Sequence, residues 1–223
     1  VRRDGGAPPE GALALLKADP LTQGPRLFAR HCSSCHRYDG HDGTGRQIVV
    51  AIGDPHDKKT EPVPASAPDL GKFGTREWAK EVLTNYHELF APLKNLTLDA
   101  EKNVGERFLA GDMANWVTEN KAALTDAANA DDLKALAEFL VQQSGRTDHR
   151  PADEALAATG KEVFSTGKLK NGALSSSCAD CHDPGNGAPL LVGYGSVDWL
   201  KRFVQNPGHA DFYGDNNEMV SFE

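Results

Sequence analysis

The chain has 223 residues, enough for one large domain or two small ones, with a formal charge of −8 and a pI near 5.5. Neither a basic cluster of the kind that binds nucleic acid nor an apolar run of the roughly 18–20 residues that span a bilayer is present. With 22 Gly, 13 Pro and 39% hydrophobic residues, the chain is rich in loops and poor in material for a core of ordinary design.

It begins without Met or an apolar leader, as expected of a mature form or a fragment. Residues 1–20 read as a tether, in which Pro8-Pro9-Glu10 opens a short helix through Leu13, Leu15 and Leu16 that Asp19-Pro20 ends. Leu21 to Arg30 suits a second short helix running into His31-Cys32-Ser33-Ser34-Cys35-His36. Gly40-His41-Asp42-Gly43-Thr44-Gly45 lacks the Lys-Ser/Thr ending of a phosphate loop and reads as a glycine-rich turn. Asp54 to Pro68, with Pro55, Pro62, Pro64 and Pro68, predicts an irregular loop.

Thr75 to about Leu89 returns to helical spacing, with Trp78, Val82, Leu83 and Tyr86 on one side. Asp131 to Gln143 is the clearest helix, striped by Leu133, Leu136, Ala137 and Leu140 and stopped by Gly145. Arg146 to Pro151 is polar and charged and is taken as a domain boundary. Ala152 to Phe164 is again helical, and a spacer through Gly167, Asn171 and Gly172 leads to Cys178-Ala179-Asp180-Cys181-His182.

The second half repeats the first. Residues 188–199, Ala-Pro-Leu-Leu-Val-Gly-Tyr-Gly-Ser-Val-Asp-Trp, align without gaps on residues 67–78, Ala-Pro-Asp-Leu-Gly-Lys-Phe-Gly-Thr-Arg-Glu-Trp. The register continues to Asn85 and Asn206, and Gly24-x-x-Leu27-Phe28 matches Gly160-x-x-Val163-Phe164. This is an internal duplication at domain scale.

All four cysteines lie in the two Cys-x-x-Cys-His motifs. Structural zinc needs four ligands close together, and a thioredoxin-like pair needs a βαβ setting; neither is visible. Covalent attachment of a c-type haem requires this spacing: Cys32 and Cys35, and Cys178 and Cys181, each add to a vinyl group, and His36 and His182 coordinate iron. Two haem c groups are therefore expected, each supplying apolar bulk that the sequence lacks.

The chain resembles class I cytochromes c over about residues 21–223. That resemblance implies a mainly α, loop-rich fold of two tandem domains, 21–147 and 148–223, each wrapped around its haem. It also implies that Pro68 and Pro189 accept a hydrogen bond from the ligand histidine, and that Met113 and Met219 close the iron spheres. His56 or His87 are the other candidates at the first iron and His209 at the second. Trp78 and Trp199, and Phe73 and Tyr194, are expected beside the porphyrins, with the tyrosine hydroxyl in reach of a propionate. His31, His41 and His149 are left to solvent. A terminal helix crosses the first one in such domains, a role for Asp131–Gln143 in the first. The second domain lacks a counterpart, so either chain beyond Glu223 or a neighbour covers Ala152–Phe164, the former being expected.

A narrower likeness is to haem-c domains of bacterial cytochrome bc-type quinol oxidoreductases. It is carried by Asp19-Pro20-Leu21-Thr22-Gln23-Gly24-Pro25, by the Gly-Phe/Tyr-Gly-Thr/Ser-x-Glu/Asp-Trp blocks, and by Asn206-Pro207-Gly208-His209 with Phe212-Tyr213-Gly214. It implies single-electron relay from a quinol-side donor to a soluble acceptor, with redox proteins as partners and no catalytic residues of its own. A dihaem peroxidase with one displaceable sixth ligand is the alternative. Haem attachment of this type takes place outside the cytoplasmic membrane, so a periplasmic location, or the outer face of that membrane, is expected.

Overall fold

A computed structural model describes residues 11–54, 56–96, 104–148, 150–214 and 217–222. The helix start at Pro8-Pro9-Glu10, together with Pro55 and His149, lies outside them. The chain packs as two compact units, Val1–Gly71 and Lys72–Glu223, so the segment 146–151 falls within the second.

In the first unit, α1 (Ala12–Ala18) is followed at once by α2 (Pro20–His31). Asp19 starts the second helix as much as it ends the first: its carboxylate accepts the Thr22 N–H at 2.9 Å, and Pro20 supplies a preset φ. The glycine-rich turn is as expected, with Gly40, Gly43 and Gly45 all at positive φ. Gly43 has a steric reason as well, since a Cβ there would come within 2.8 Å of the Phe28 ring. The proline-rich stretch is more ordered than its composition suggests. β1 (Val49–Ala51) pairs antiparallel with β2 (Thr60–Pro62), Val50 opposite Glu61, so the loop is a hairpin in part. Pro62 sits at the strand end, where a missing N–H costs little.

The second unit is helical: α3 (Arg76–Thr84), α4 (Tyr86–Leu89), α5 (Val104–Leu109), α6 (Asp112–Thr125), α7 (Ala130–Ser144), α8 (Glu154–Thr166), α9 (Ala179–His182) and α10 (Val197–Gln205). Asn85 interrupts the expected 75–89 helix between α3 and α4. Gly145 ends α7 and Gly167 ends α8, both in the left-handed conformation that glycine takes without a Cβ penalty. The main core gathers Leu83, Leu124, Leu136, Phe139, Ala157, Val163, Phe164, Leu169 and Leu174. A second cluster holds Tyr86, Ala114 and Val117.

The tightest packing is α7 on α8. A Cβ on Gly160 would run into the carbonyl oxygen of Ala135 and lie 2.9 Å from Phe139 Cβ, so the helices approach only because residue 160 is glycine. Phe139 and Phe164 pack beside it with ring centroids 5.2 Å apart. Within the chain, α7 covers this face of α8.

Candidate haem-binding sites

Each Cys-x-x-Cys-His segment folds as a single helical turn, with the same bonds in both. The N–H groups of Cys35 and His36 donate to Cys32 O at 3.2 and 2.9 Å; those of Cys181 and His182 donate to Cys178 O at 3.2 and 2.9 Å. One turn places both thiols and the imidazole along one side, the arrangement that two covalent bonds and an axial ligand require. All four thiols are free.

Both histidines are oriented from behind. His36 Nδ1 lies 2.8 Å from Pro68 O, and His182 Nδ1 lies 2.9 Å from Pro189 O. A carbonyl only accepts, so Nδ1 carries the proton and Nε2 keeps its lone pair for a metal. Burial lowers the His36 pKa, with the Pro68 bond opposing in part, which favours the neutral form that ligates. Burial also raises the Cys32 thiol and pushes Cys178 up to about 12. The turn and loop are joined once more in each copy, through Ala67 N to Cys35 O at 3.1 Å and Ala188 N to Cys181 O at 3.3 Å. The duplication seen in the sequence therefore recurs as hydrogen bonds.

The first site has supports that the sequence did not reveal. Arg37 is buried at 8% exposure and donates to Ser33 O and His36 O, both at 2.8 Å, and to Val63 O at 2.6 Å. Asp69 accepts from the N–H groups of Asp39, Gly40 and Gly71 at 2.7–2.9 Å. Each joins the haem turn or its loop to chain some 26–30 residues away, Arg37 to Val63 and Asp69 to Asp39 and Gly40, a pairing with no periodic signal in the sequence.

Trp78 and Trp199 stand at the same place on α3 and α10. Thr75 Oγ1 accepts the Trp78 N–H at 3.1 Å, and Ser196 Oγ accepts that of Trp199 at 3.2 Å. Phe73 packs on Trp78 and Tyr194 on Trp199, centroids 5.0 and 4.6 Å apart. Met113 is less of a loop residue than its polar neighbours suggest: it lies in the first turn of α6 and packs against both apolar clusters. Met219 is half-buried, its backbone bonded to the Asn217 amide on both sides. Among the other histidines, His87 Nε2 lies 3.2 Å from Thr118 Oγ1, and His209 Nδ1 accepts the Asp211 N–H at 3.1 Å. His41 is not merely solvated, because Nδ1 accepts the Gly43 N–H at 2.9 Å.

The spacer before Cys178 is clamped to α6 and to Asn129 at the cap of α7. Asn129 accepts the Asn171 N–H at 2.7 Å and donates to Asn171 O at 2.9 Å; Asn120 accepts Ser175 N–H at 2.7 Å; Trp116 Nε1 donates to Ser176 O at 3.2 Å. Asn120 and Asn129 are 2% and 1% exposed. Buried amides in pairs of this kind fix a loop, since breaking them leaves unsatisfied groups.

A haem fits the first unit on packing grounds too. Among the described residues of 11–71 only Ser33 and Arg37 are buried, and no apolar side chain is, while Leu21 and Leu27 stand 86% and 55% exposed. A unit held by turns and polar bonds with no apolar interior suits a prosthetic group that serves as the core.

Fold and site together define a mainly helical protein that carries covalently bound haem c. A cytochrome c family model matches residues 21–144, and the chain belongs to that family. Its work is accordingly electron transfer, with iron as the redox centre and redox proteins as partners. No curated protein and no solved structure matches the chain. Among the described residues no helix is long and apolar enough to cross a membrane.

Proposed function

We propose that the chain is a dihaem cytochrome c that relays single electrons from a quinol-side donor, a membrane-bound bc-type complex, to a soluble acceptor. It works in the periplasm or at the outer face of the cytoplasmic membrane, without catalysis of its own. The observation that carries the second haem is the matched pair of Cys-x-x-Cys-His turns, each with its histidine on a proline carbonyl. Cys32, Cys35 and His36 hold one haem; Cys178, Cys181 and His182 hold the other. Met113 and Met219 are the sixth ligands, and Trp78, Phe73, Trp199 and Tyr194 line the porphyrins.

The bound haem supplies a one-electron iron couple. The protein fixes the ligand ring through Pro68 or Pro189, keeps Nε2 unprotonated, and surrounds the porphyrin with apolar and aromatic side chains that lower the local dielectric. The net charge of −8 favours a basic redox partner by steering its approach.

A pyridine haemochrome assay with protein quantitation tests the count. Two haems per chain are expected, and one would reject the tandem reading. The oxidised protein is expected to show the far-red methionine–iron band at two-haem intensity. A high-spin signal, or turnover of peroxide, would reject the carrier role.

A further inference from the structure

The two Cys-x-x-Cys-His turns match in their backbone bonds and in the carbonyl that holds each histidine, so neither feature separates one haem from the other. Their charges do not match. The residue after the ligand histidine is Arg37 in the first copy and Asp183 in the second. The residue before the second cysteine is Ser34 in one and Asp180 in the other, and Leu190 stands where the first loop has Asp69. Over residues 30–39 together with Asp69, Arg30 and Arg37 balance Asp39 and Asp69. Over the matching 176–185 together with Leu190, Asp180 and Asp183 are the only charged side chains, with histidine neutral.

Arg37 is the best placed of these groups. It is buried, it follows His36 in the chain, and its guanidinium donates to Ser33 O, His36 O and Val63 O. All three acceptors are carbonyls, which hold a cation without neutralising it. A charge withdrawn from water is also screened less than one at the surface. Burial and the Pro68 bond dominate the His36 pKa; the Asp69 charge then raises it and the Arg37 charge lowers it, so both fields reach the ligand ring. At the second site, the Asp180 carboxylate accepts the Ser177 N–H at 2.8 Å, which keeps it beside the turn. Its charge adds to the burial that raises the Cys178 thiol.

Oxidation adds a positive charge at the iron, so a nearby cation favours the reduced haem and a nearby carboxylate the oxidised one. We propose that Arg37 sets the Cys32–His36 haem at the higher reduction potential and that Asp180 and Asp183 hold the Cys178–His182 haem at the lower. Each effect is local to its own turn. The proposal rests on the two-haem reading above and gives it a direction: the quinol-side donor reduces the Cys178–His182 haem, and the soluble acceptor draws from the Cys32–His36 haem.

The test is a redox titration of the holoprotein, with the haem methyl NMR signals assigned through the thioether bridges to their cysteines. In the parent, the Cys32–His36 haem is expected to take up its electron first. Arg37→Gln is expected to lower the reduction equilibrium of that haem by a factor of about three or more, or ~30 mV at 59 mV per tenfold for one electron. Arg37→Lys, which keeps the charge but not the forked bonds, is expected to shift it by less than half as much. Asp180→Asn combined with Asp183→Asn, both at exposed positions, is expected to raise the other haem and narrow the gap. A parent with the opposite order overturns the proposal. So does an Arg37→Lys protein that falls as far as Arg37→Gln, since geometry and not charge would then be the cause, and so does an unchanged gap in the double aspartate variant. Should Arg37→Gln fail to assemble, the parent order and the aspartate pair decide. A parent with one haem overturns the two-haem reading and this proposal together, whereas two haems in the opposite order overturn this proposal alone.

Discussion

Arg76 grips Glu138 with two parallel bonds, Nε to Oε1 at 2.7 Å and Nη2 to Oε2 at 2.8 Å, although 62 residues separate them. The same carboxylate accepts from Arg150 Nη2 at 2.7 Å and from the Asp153 N–H at 3.1 Å, and Glu138 is only 2% exposed. One buried anion thus ties the start of α3, the middle of α7 and the N-cap of α8. The Arg76 guanidinium, aided by the Asp153 and Arg150 bonds, outweighs burial and holds the Glu138 carboxyl at about 2. A depressed folded pKa means that this stabilisation is complete above the unfolded value near 4.5 and fades as pH falls from there through about 2. Urea unfolding of Glu138→Gln is expected to show a loss of about 3 kcal/mol at pH 7, because Arg76 and Arg150 lose their counter-charge. The gap between variant and parent is expected to close toward pH 2; a constant gap would mean that the ion pair is not its source.

Gly24 and Gly160 hold equivalent positions in the duplication but meet different surroundings. A Cβ at Gly160 strikes the Ala135 carbonyl, whereas one at Gly24 meets nothing within 4 Å. Gly160→Ala is expected to destabilise by about 1–3 kcal/mol through overpacking. Gly24→Ala is expected to change stability by less than about 0.5 kcal/mol, because the gain of alanine over glycine inside a helix is offset by the crowding of a Cβ against the ring of Pro25. Thermal unfolding of the two variants side by side checks the difference.

The contrast between these glycines shows what was legible in the sequence. Features that are local or repeated could be read directly: the Cys-x-x-Cys-His motifs, the matched blocks that carry Trp78 and Trp199, and the glycine stop at 145. The α6 helix was missed because Asn115, Thr118, Glu119 and Asn120 break its apolar stripe, and Asn120 is buried against the spacer at Ser175 rather than exposed. Glu138 carries no signal of its own in the sequence, since its partners lie on α3 and after Gly145. Long-range polar pairing leaves no periodic trace, so Arg37 and Asp69 were equally silent.

The asparagine clamp on the spacer should be measurable by proteolysis. Asn129→Ala removes both bonds to Asn171 and a third to Ala123 O at 2.9 Å. Leaving buried backbone groups unpaired costs about 1–3 kcal/mol, and the free energy of local opening falls with it. Limited digestion is expected to cut the variant faster between 167 and 177 than the parent, at unchanged rates elsewhere. Equal rates at that segment would show that the clamp does not hold it.

Met113 carries two roles whose loss separates in one variant. It packs against Leu83, Leu124 and their neighbours on one side and the Tyr86 cluster on the other, and in the proposed holoprotein its sulfur closes one iron sphere. Met113→Leu keeps the apolar volume and removes the thioether, so stability is expected to change by less than about 1.5 kcal/mol. The far-red methionine–iron band is expected to fall to one-haem intensity, with a lower potential at the affected haem because thioether ligation raises it. A Met113→Leu protein that keeps the full band would leave that methionine with packing alone. His56 or His87 would then be the residues to substitute at that iron. Met219→Leu gives the matching loss for the other haem, and the double variant is expected to have no band at all.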